Sequence, residues 1–199
     1  MRKPVRIISA SEIKQFYSME KAIDAMERAF SSLASNESFV PLRSVYKFPA
    51  NKILLLFKPA CDKEKNISVK ILSQRENGYY PGIPTIQGIL IVIDAVTGEL
   101  LSIMDGEYLT ALRTGAASGL ATRLFARNNS QIMALFGCGA QGRTQIEAVI
   151  CERDIKKIYV FDLFKEAADK LINEMQEKID IELVYTDDTS VLRECDIIC

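Results

Sequence analysis

The sequence contains no histidine and no tryptophan among its 199 residues. Histidine is the commonest general base and a frequent zinc ligand, so its absence excludes Ser–His–Asp catalysis and any zinc site that needs Cys and His together. Proton transfer must therefore use Lys, Asp, Glu, Tyr or water. The five cysteines are scattered without a C-x-x-C pair, which indicates reduced thiols rather than a disulfide framework or a metal site.

A strong net charge and a long apolar run are also missing. With 25 basic and 26 acidic residues, the net charge of −1 gives no general attraction to nucleic acid or to an anionic membrane. No apolar run approaches the roughly 20 residues that span a bilayer, and the N-terminus has no signal-peptide pattern. These absences predict a cytoplasmic protein that binds neither nucleic acid nor membrane.

The most informative segment is 131–149, QIMALFGCGAQGRTQIEAV. An apolar, strand-like run at 132–136 is followed by Gly137, Gly139 and Gly142 in the spacing G-x-G-x-x-G, and then by a helix-like pattern. The first glycine permits a tight turn, the second lets the backbone approach a pyrophosphate, and the third lets the helix pack against the strand. The N–H groups at the start of the helix would then face the phosphates. This pattern predicts the beginning of a dinucleotide-binding βαβ unit.

A second predicted strand, 157–161, ends in Asp162, twenty residues after Gly142. A carboxylate at this point can accept hydrogen bonds from an adenosine ribose and would repel a 2′-phosphate, so it favours NAD over NADP. Lys165 lies nearby and makes that preference modest, so NADP stays possible. The alternative is a surface aspartate that closes a strand in a domain without a nucleotide.

The chain as a whole is predicted to form two α/β domains, 1–112 and 113–199. The first domain is α+β, with two amphipathic helices and then mostly strands. The second is a Rossmann-type, doubly wound parallel sheet. The predicted helices are 11–17, 19–33, 110–126 and 166–178, and the predicted strands are 53–57, 67–72, 85–93, 100–104, 132–136, 157–161, 181–184 and 195–199. Thr110 is the predicted N-cap of the helix that links the domains.

The second domain is predicted to be incomplete. A dinucleotide-binding sheet usually has about six strands, and only four are predicted here. We expect the sequence to be a fragment, with an unusually reduced fold as the alternative.

Three basic residues stand out by their placement. Arg43 lies in an extended segment, and Lys70 lies in the middle of a strand among apolar neighbours. Arg113 lies in the first turn of the predicted linking helix, where an arginine is mildly disfavoured unless an anion compensates it. A loop at 76–84 that is dense in Gly, Pro and Tyr, and includes Tyr79 and Tyr80, is a candidate wall of a small-molecule site. The alternative for all of these residues is an ordinary surface position.

Several motifs carry a resemblance to a known family. They are PLR at 41–43, the strand with Lys70, GIPTIQG at 82–88, IDAVTGELLSIMDG at 93–106, LTALRTGAASGLA at 109–121 and GCGAQG at 137–142. Together they resemble the ornithine cyclodeaminase/mu-crystallin family, which also includes archaeal-type alanine dehydrogenases and ketimine reductases.

The resemblance implies an NAD(P)-dependent enzyme that acts on a small amino acid or cyclic imine and forms a homodimer through its substrate domain. It implies that Arg43 and Arg113 grip the substrate carboxylate and that Arg113 also contacts the cofactor. Lys70 would be the catalytic acid–base partner beside the amino or imino carbon. The implied cofactor contacts are Thr85 at the nicotinamide, the turn residues Gly137, Gly139, Ala140, Gln141 and Gly142 at the pyrophosphate, and Asp162 at the ribose.

Two departures from the family pattern qualify these expectations. The catalytic aspartate of the family lies beyond Cys199, and no residue here matches it, so the chain alone is expected to lack full activity. The segment ILLLFKP at 53–59 has leucine where ornithine-cyclising members place an acid, with Lys58 close by. Ornithine is therefore less expected than a small or neutral substrate, although ornithine cyclodeamination stays an alternative. A crystallin-like binding protein without turnover is the alternative from another functional class.

Overall fold

The structure is a computed structural model that describes residues 4–62, 65–75 and 83–199. Residues 76–82 of the predicted loop, with Tyr79 and Tyr80, lie outside the described residues. The chain divides into two units. Unit 1 comprises Met1–Tyr17 and Arg28–Thr110, and unit 2 comprises Ser18–Glu27 and Ala111–Cys199.

In the first half of the chain two helices are followed by a run of strands, and helices and strands alternate from residue 106 to residue 185. The helices are α1 (Ala10–Phe16), α2 (Met19–Ala34), α3 (Gly106–Phe125), α4 (Ala140–Glu152) and α5 (Lys165–Gln176). The strands are β1 (Arg6–Ile8), β2 (Ser38–Phe39), β3 (Ser44–Phe48), β4 (Ile53–Asp62), β5 (Asn66–Arg75), β6 (Ile86–Asp94), β7 (Leu100–Asp105), β8 (Ile132–Phe136), β9 (Lys157–Phe161), β10 (Glu182–Tyr185) and β11 (Ile197–Ile198). Within the described residues, no helix has the length and apolar character needed to cross a bilayer.

Unit 1 is built on one mixed sheet with the strand order β1-β7-β6-β5-β4-β2, and β3 also pairs with β4. Strand β1 runs parallel to β7, and the other neighbours are antiparallel. The turn between β6 and β7 is stabilised by the Asp94 carboxylate, which accepts the N–H groups of Val96 and Thr97 at 2.9 and 2.8 Å. The register of the β4–β5 hairpin places Lys58 opposite Lys70.

Unit 2 is a parallel sheet with the strand order β10-β9-β8-β11. In chain order this is the sequence 3-2-1-4 that begins a doubly wound dinucleotide-binding sheet, so the predicted fold class is confirmed. Strands β8 and β9 are almost fully buried because both faces are covered. Helices α4 and α5 pack on one face, and Val191 and Leu192 pack against Ala134, Tyr159 and Phe161 on the other. Such continuous burial explains why their sequences are apolar runs instead of alternating patterns.

The first part of α2 belongs to unit 2 and is held there by one arginine. The guanidinium of Arg123 on α3 lies 3.0 and 2.9 Å from the carboxylates of Asp24 and Glu27 on α2, and 2.8 Å from Glu152 on α4. These carboxylates raise the pKa of Arg123 above its ordinary value, with the hydrogen bond to Glu152 as the largest cause. The network ties three helices together, and the linear sequence did not predict it.

The helix that begins at Gly106 corrects the predicted N-cap. Thr110 was the predicted cap, but it lies inside α3, and the Asp105 carboxylate accepts the N–H of Tyr108 at 2.7 Å in the capping position instead. Aspartate is a favourable cap because its oxygen satisfies an N–H of the first turn. Arg113 is consequently the eighth residue of α3 and does not lie in its first turn, so the argument from the helix N-terminus does not apply to it.

Candidate functional site

The glycine-rich turn of unit 2 connects β8 to α4, and its glycines differ in what they make possible. Gly137 has φ +97°, a backbone conformation that favours glycine. A Cβ atom on Gly142 would lie 2.5 Å from the carbonyl oxygen of Gly137, so the helix can approach the strand only with glycine here. Gly139 has open space around its Cβ direction. Gly137 and Gly142 shape the turn, and Gly139 leaves the outer side of the turn accessible.

The turn lies at the topological switch point of the sheet. Strand β8 has β9 on one side and β11 on the other, so the chain leaves it towards one side and returns on the opposite side. Open α/β sheets bind ligands at the carboxyl ends of the strands at such a point. Helix α4 starts at Ala140 after Gly139, without a side-chain cap. Ala140 and Gln141 are exposed, and the N–H groups of this first turn suit a phosphate.

Asp162 follows β9 and holds the glycine-rich turn. Its carboxylate accepts the N–H of Cys138 at 2.7 Å and the N–H of Phe164 at 2.9 Å. The bond from Phe164 is the largest cause that lowers the pKa of Asp162, followed by the bond from Cys138. Asp162 is therefore ionised at neutral pH, and a carboxylate has acceptor capacity for several hydrogen bonds, including one from a ligand hydroxyl.

Arg143 holds the same turn from the carbonyl side, and sequence reasoning missed it. Its guanidinium donates to the carbonyl oxygens of Cys138 and Gly139 at 2.7 and 2.9 Å and pairs with Glu174 on α5. The side chain of Asp162 thus accepts the N–H of Cys138, and the side chain of Arg143 donates to its carbonyl. Only the position of Arg143 directly after the third glycine could have signalled this role.

Cys138 is the buried residue at the centre of the turn. Burial, followed by the charge of Asp162, raises the pKa of its thiol to about 11. The thiol is therefore protonated at neutral pH and is not a nucleophile there. All five cysteines of the chain are unpaired.

Lys70 in unit 1 lies in the middle of the sheet and is half-buried. Its Nζ donates to the hydroxyl of Thr110 at 3.3 Å, and that hydroxyl donates to the carbonyl of Gly106 at 2.6 Å. The hydroxyl proton of Thr110 is thereby directed away from Lys70, so its oxygen is oriented to accept from the ammonium group. A Cβ atom on Gly106 would lie 2.7 Å from the backbone of Gly88, and a Cβ atom on Gly88 would collide with the carbonyl oxygen of Ile71, which explains the glycine at each position.

The neighbours of Lys70 across the sheet include a second lysine. Lys58 on β4 is directly opposite Lys70, and Leu90 on β6 is opposite it on the other side. Arg43 is exposed and directly precedes Ser44, which pairs with Phe57 on β4. Arg43, Lys58 and Lys70 thus belong to adjacent segments of one sheet. Lys58 was not among the predicted site residues, because cross-strand register is not visible in the linear sequence.

The remaining predicted site residues are exposed. Thr85 directly precedes β6, and its carbonyl accepts the N–H of Arg75 at 3.1 Å. Arg113 is exposed between the buried Leu112 and the half-buried Thr114 on α3. Unit 1 therefore contains Arg43, Lys70 and Thr85, and unit 2 contains Arg113, the glycine-rich turn and Asp162. The functional roles of these residues stay predictions.

Comparison with known proteins identifies the family. The model of the ornithine cyclodeaminase/mu-crystallin family matches residues 4–199. Delta(1)-pyrroline-2-carboxylate reductase of Bacillus cereus is 31% identical over 194 residues, which cover 96% of this chain and 60% of that protein. Alanine dehydrogenase of Archaeoglobus fulgidus is 30% identical over 172 residues, which cover 86% and 52%.

A solved structure agrees with these matches. The structure of Thermococcus litoralis Delta(1)-pyrroline-2-carboxylate reductase, in complex with NADH and L-proline, superposes with a TM-score of 0.91 at 33% identity, over 98% of this chain and 61% of that one. The chain therefore spans between 52% and 61% of the length of these three relatives. Family model, sequence identity and fold agree, and the chain belongs to the ornithine cyclodeaminase/mu-crystallin family.

Proposed function

We propose that this protein interconverts an L-amino acid, open-chain or cyclic, and its imine or keto form with a nicotinamide cofactor. The observation that carries the proposal is the glycine-rich turn at the switch point of a parallel sheet, with Asp162 at the end of the next strand. When bound, the nicotinamide would supply or accept the hydride. The relatives named as pyrroline-2-carboxylate reductase and alanine dehydrogenase support this class of reaction.

NAD is the proposed cofactor, and Asp162 is the proposed reason. The Thermococcus litoralis relative binds NADH, and an archaeal alanine dehydrogenase of 30% identity binds NAD. In this chain, the turn leaves Gly139 open for a pyrophosphate, and Ala140 and Gln141 would present their N–H groups to it. The ionised Asp162 would accept hydrogen bonds from ribose hydroxyls and repel the 2′-phosphate of NADP. Thr85 is proposed to contact the nicotinamide.

Three basic residues are proposed to bind the carboxylate and the nitrogen of the substrate. Arg43 and Arg113 would bind the substrate carboxylate, because a guanidinium fork matches a carboxylate in two parallel hydrogen bonds. Arg113 is also proposed to contact the cofactor. Lys70 would donate a hydrogen bond or a proton at the substrate nitrogen, and the fixed hydroxyl of Thr110 would orient it.

Ornithine cyclodeamination is the less favoured alternative. A substrate with a cationic side chain needs an acidic partner, and β4 has the buried Leu56 and the cationic Lys58 in the relevant segment. A positive charge close to the side-chain amine of ornithine would repel it. We therefore favour the amino-acid dehydrogenase or ketimine reductase type of reaction.

A homodimer formed through the sheet of unit 1 is the proposed assembly. Strand β3 is exposed along its whole length, and its Val45, Tyr46 and Phe48 are 48%, 56% and 49% exposed. Apolar patches of this kind often mark protein interfaces. The archaeal alanine dehydrogenase of 30% identity is a dimer, which supports the same assembly here.

The cytoplasm is the proposed location, and five unpaired cysteines are consistent with its reducing conditions.

The test is a cofactor-oxidation assay on the protein produced from its complete reading frame. NADH and NADPH would each be combined with pyruvate plus ammonia, pyrroline-2-carboxylate and piperideine-2-carboxylate. Ornithine would be incubated with NAD and followed by the release of ammonia, because cyclodeamination regenerates the cofactor and leaves its redox state unchanged. We expect turnover with NADH, and a loss of about 10²- to 10⁴-fold in Lys70→Met because an acid–base group is removed. Lys156→Met, which removes an exposed lysine just before β9, is the control.

Two results would contradict the proposal. Undiminished turnover in Lys70→Met would show that Lys70 is not catalytic. Absence of turnover with every substrate, together with tight NADH binding by calorimetry, would instead identify a binding protein without this activity.

A further inference from the structure

Lys165 is the first residue of α5 and follows Asp162 after two residues, Leu163 and Phe164. A lysine so close to the end of β9 is the feature of the sequence that keeps NADP possible, because an ammonium group suits a phosphate. Within the helix the position is unfavourable for a cation, since the N-terminus of a helix carries a positive partial charge. The contacts of the ammonium group therefore decide whether it can serve a cofactor phosphate.

The ammonium group of Lys165 is held by a carboxylate of the same helix. Its Nζ donates to both oxygens of Asp169, one turn further along α5, at 2.9 and 2.7 Å. It also lies 5.4 Å from the centre of the Tyr185 ring at the end of β10, which is within the range of a cation–π contact. The hydrogen bond to Asp169 is the largest cause that raises the pKa of Lys165 above its ordinary value. Both contacts direct the ammonium group towards β10, whereas Asp162 follows β9.

The residues that follow β9 and β10 are otherwise acidic. Positions 162–166 (DLFKE) and 186–190 (TDDTS) contain one cation, Lys165, and the carboxylates of Asp162, Glu166, Asp187 and Asp188. Because β9 and β10 are parallel neighbours, both segments lie at the edge of the sheet where a dinucleotide would bind. Within these two segments, a 2′-phosphate would have Lys165 alone as its counter-charge.

We infer that Asp169 is a second residue that makes this protein select NAD, and that it does so by holding Lys165 away from a 2′-phosphate. The inference rests on the proposed function and concerns the specificity of the same cofactor site. Asp162 would repel the phosphate directly, whereas Asp169 is a positioning residue that acts through Lys165. The cofactor NAD has a hydroxyl group at the 2′ position and needs no cation there, so Asp169 leaves its binding unaffected.

The pair is exposed, so it weakens the binding of NADPH without preventing it. The side chains of Lys165 and Asp169 are 60% and 48% exposed, and exposed ion pairs of this kind change an equilibrium by a factor of about 1.5 to 5. A lysine that precedes its acidic partner is also the less favourable order of charges on a helix. A phosphate can therefore compete for Lys165, but only by breaking its bond to Asp169. The penalty on NADPH should be of the same size as the contribution of the pair.

The experiment measures the affinities of NADH and NADPH by calorimetry on the protein from the complete reading frame. The variants are Asp169→Asn, Lys165→Met and the double variant with both changes. The control is Asp154→Asn, which also removes the partner of an exposed lysine, Lys156. Asp154 precedes the amino end of β9 and so lies at the edge of the sheet opposite the glycine-rich turn. Urea unfolding of each variant would report any change in stability.

We expect Asp169→Asn to raise the ratio of NADPH affinity to NADH affinity by about twofold to fivefold, because it releases Lys165. The affinity for NADH itself should stay the same. In the Lys165→Met background, Asp169→Asn should change the ratio no more than Asp154→Asn does in the wild type. A purely structural role of Asp169 would not produce this dependence on Lys165.

Two outcomes would overturn the inference alone. One is tight NADH binding with an unchanged ratio in Asp169→Asn. The other is an equal rise of the ratio with and without Lys165, since Asp169 would then act by direct repulsion of the phosphate. Failure to bind either dinucleotide would refute both the inference and the proposed function. The expected dependence on Lys165 without turnover of any substrate would refute the proposed activity and leave the role of Asp169 intact.

Discussion

The glycine-rich turn of unit 2 and the lysine face of unit 1 are built in different ways. The lysine face is the side of the β4–β5 pair that carries Lys58 and Lys70. The turn consists mainly of backbone within six consecutive residues, Gly137 to Gly142, and its shape depends on side chains being absent. The lysine face consists of side chains from separate strands, which the hairpin register brings together. A backbone site depends on glycine at fixed spacings, whereas a side-chain site depends on the residue type at individual positions.

The two regions also differ in how they are held. In the turn, Asp162 accepts the N–H of Cys138, and Arg143 donates to the carbonyls of Cys138 and Gly139. One side chain that follows β9 and one from α4 therefore fix the backbone from both sides. On the lysine face, Thr110 orients Lys70 through one hydrogen bond of 3.3 Å. We therefore expect substitutions in the turn to change mainly stability and cofactor affinity. Substitutions on the lysine face should change mainly the rate of the reaction.

The largest expected effects come from alanine substitutions at two glycines of the turn. Gly142→Ala places Cβ 2.5 Å from the Gly137 carbonyl oxygen, which cannot move without the strand. It should lower the free energy of unfolding by about 1–3 kcal/mol, as overpacking does, and weaken NADH binding. Chemical denaturation and calorimetry on the same preparations would measure both quantities.

Gly139→Ala is the matched variant, because its Cβ would meet no atom within 4 Å and φ is −75°. We expect its stability to stay within about 0.5 kcal/mol of the wild type. Its NADH affinity should fall by about tenfold or more, since the added methyl group occupies the approach of the pyrophosphate. If both variants lost stability equally, the assignment of Gly139 to the cofactor would be wrong.

This contrast also explains which features could be predicted from sequence. The strand at 132–136, the turn and the strand at 157–161 were predicted correctly, because continuous apolar runs and close glycines are local signals. The Rossmann-type sheet followed from them. The start of α3 was predicted incorrectly, because Thr110 is a good capping residue by type and the competing cap, Asp105, is the last residue of a strand.

Features that depend on non-local contacts could not be predicted. Lys58 and Lys70 are separated by twelve positions, and a shift of one residue in the hairpin register would have placed them on opposite faces. The role of Arg143 depends on where its long side chain turns back onto Cys138 and Gly139. Residue type alone does not reveal this contact.

Thr110→Val should produce the next largest effect, and it acts on chemistry. Valine keeps the shape of the buried side chain but removes the oxygen that accepts from Lys70. We expect kcat to fall by about tenfold, close to the loss of one modest hydrogen bond, with a smaller change in KM. Thr110→Ser should restore most of the rate, because it returns the hydroxyl.

Thr122→Val is a matched control for that prediction. Thr122 is also buried on α3, and its hydroxyl donates to the carbonyl four residues earlier at 2.9 Å, as that of Thr110 does. It therefore reproduces the loss of a threonine hydroxyl without affecting Lys70. Equal losses of kcat in Thr110→Val and Thr122→Val would indicate a general effect on the helix and would contradict a specific role in orienting Lys70.

The smallest expected effect concerns Asp162 and is a dependence on pH. The N–H groups of Phe164 and Cys138 lower its pKa below the ordinary value of 3.8, so its contribution to stability is complete above that value and is lost as the pH falls through the lower, folded-state pKa. Asp162→Asn should thus be less stable than the wild type by at most about 1 kcal/mol at neutral pH, since solvent screens this partly exposed group. The difference should shrink below about pH 4, as measured by urea unfolding across pH.

The same variant separates a structural carboxylate from one that also selects the cofactor. If Asp162 repels the 2′-phosphate, Asp162→Asn should narrow the gap between the affinities for NADH and NADPH, whereas Asp188→Asn should leave it unchanged. Asp188 is a suitable control because it also accepts a backbone N–H, from Ser190 at 2.8 Å. Its pKa is lowered by the hydroxyl of Ser190 and then by that N–H. An unchanged gap in Asp162→Asn, together with the pH-dependent loss of stability, would mean that the carboxylate serves only to hold the turn. In that case the preference for NAD would have to come from other residues, and the turn would be a purely structural support for the pyrophosphate.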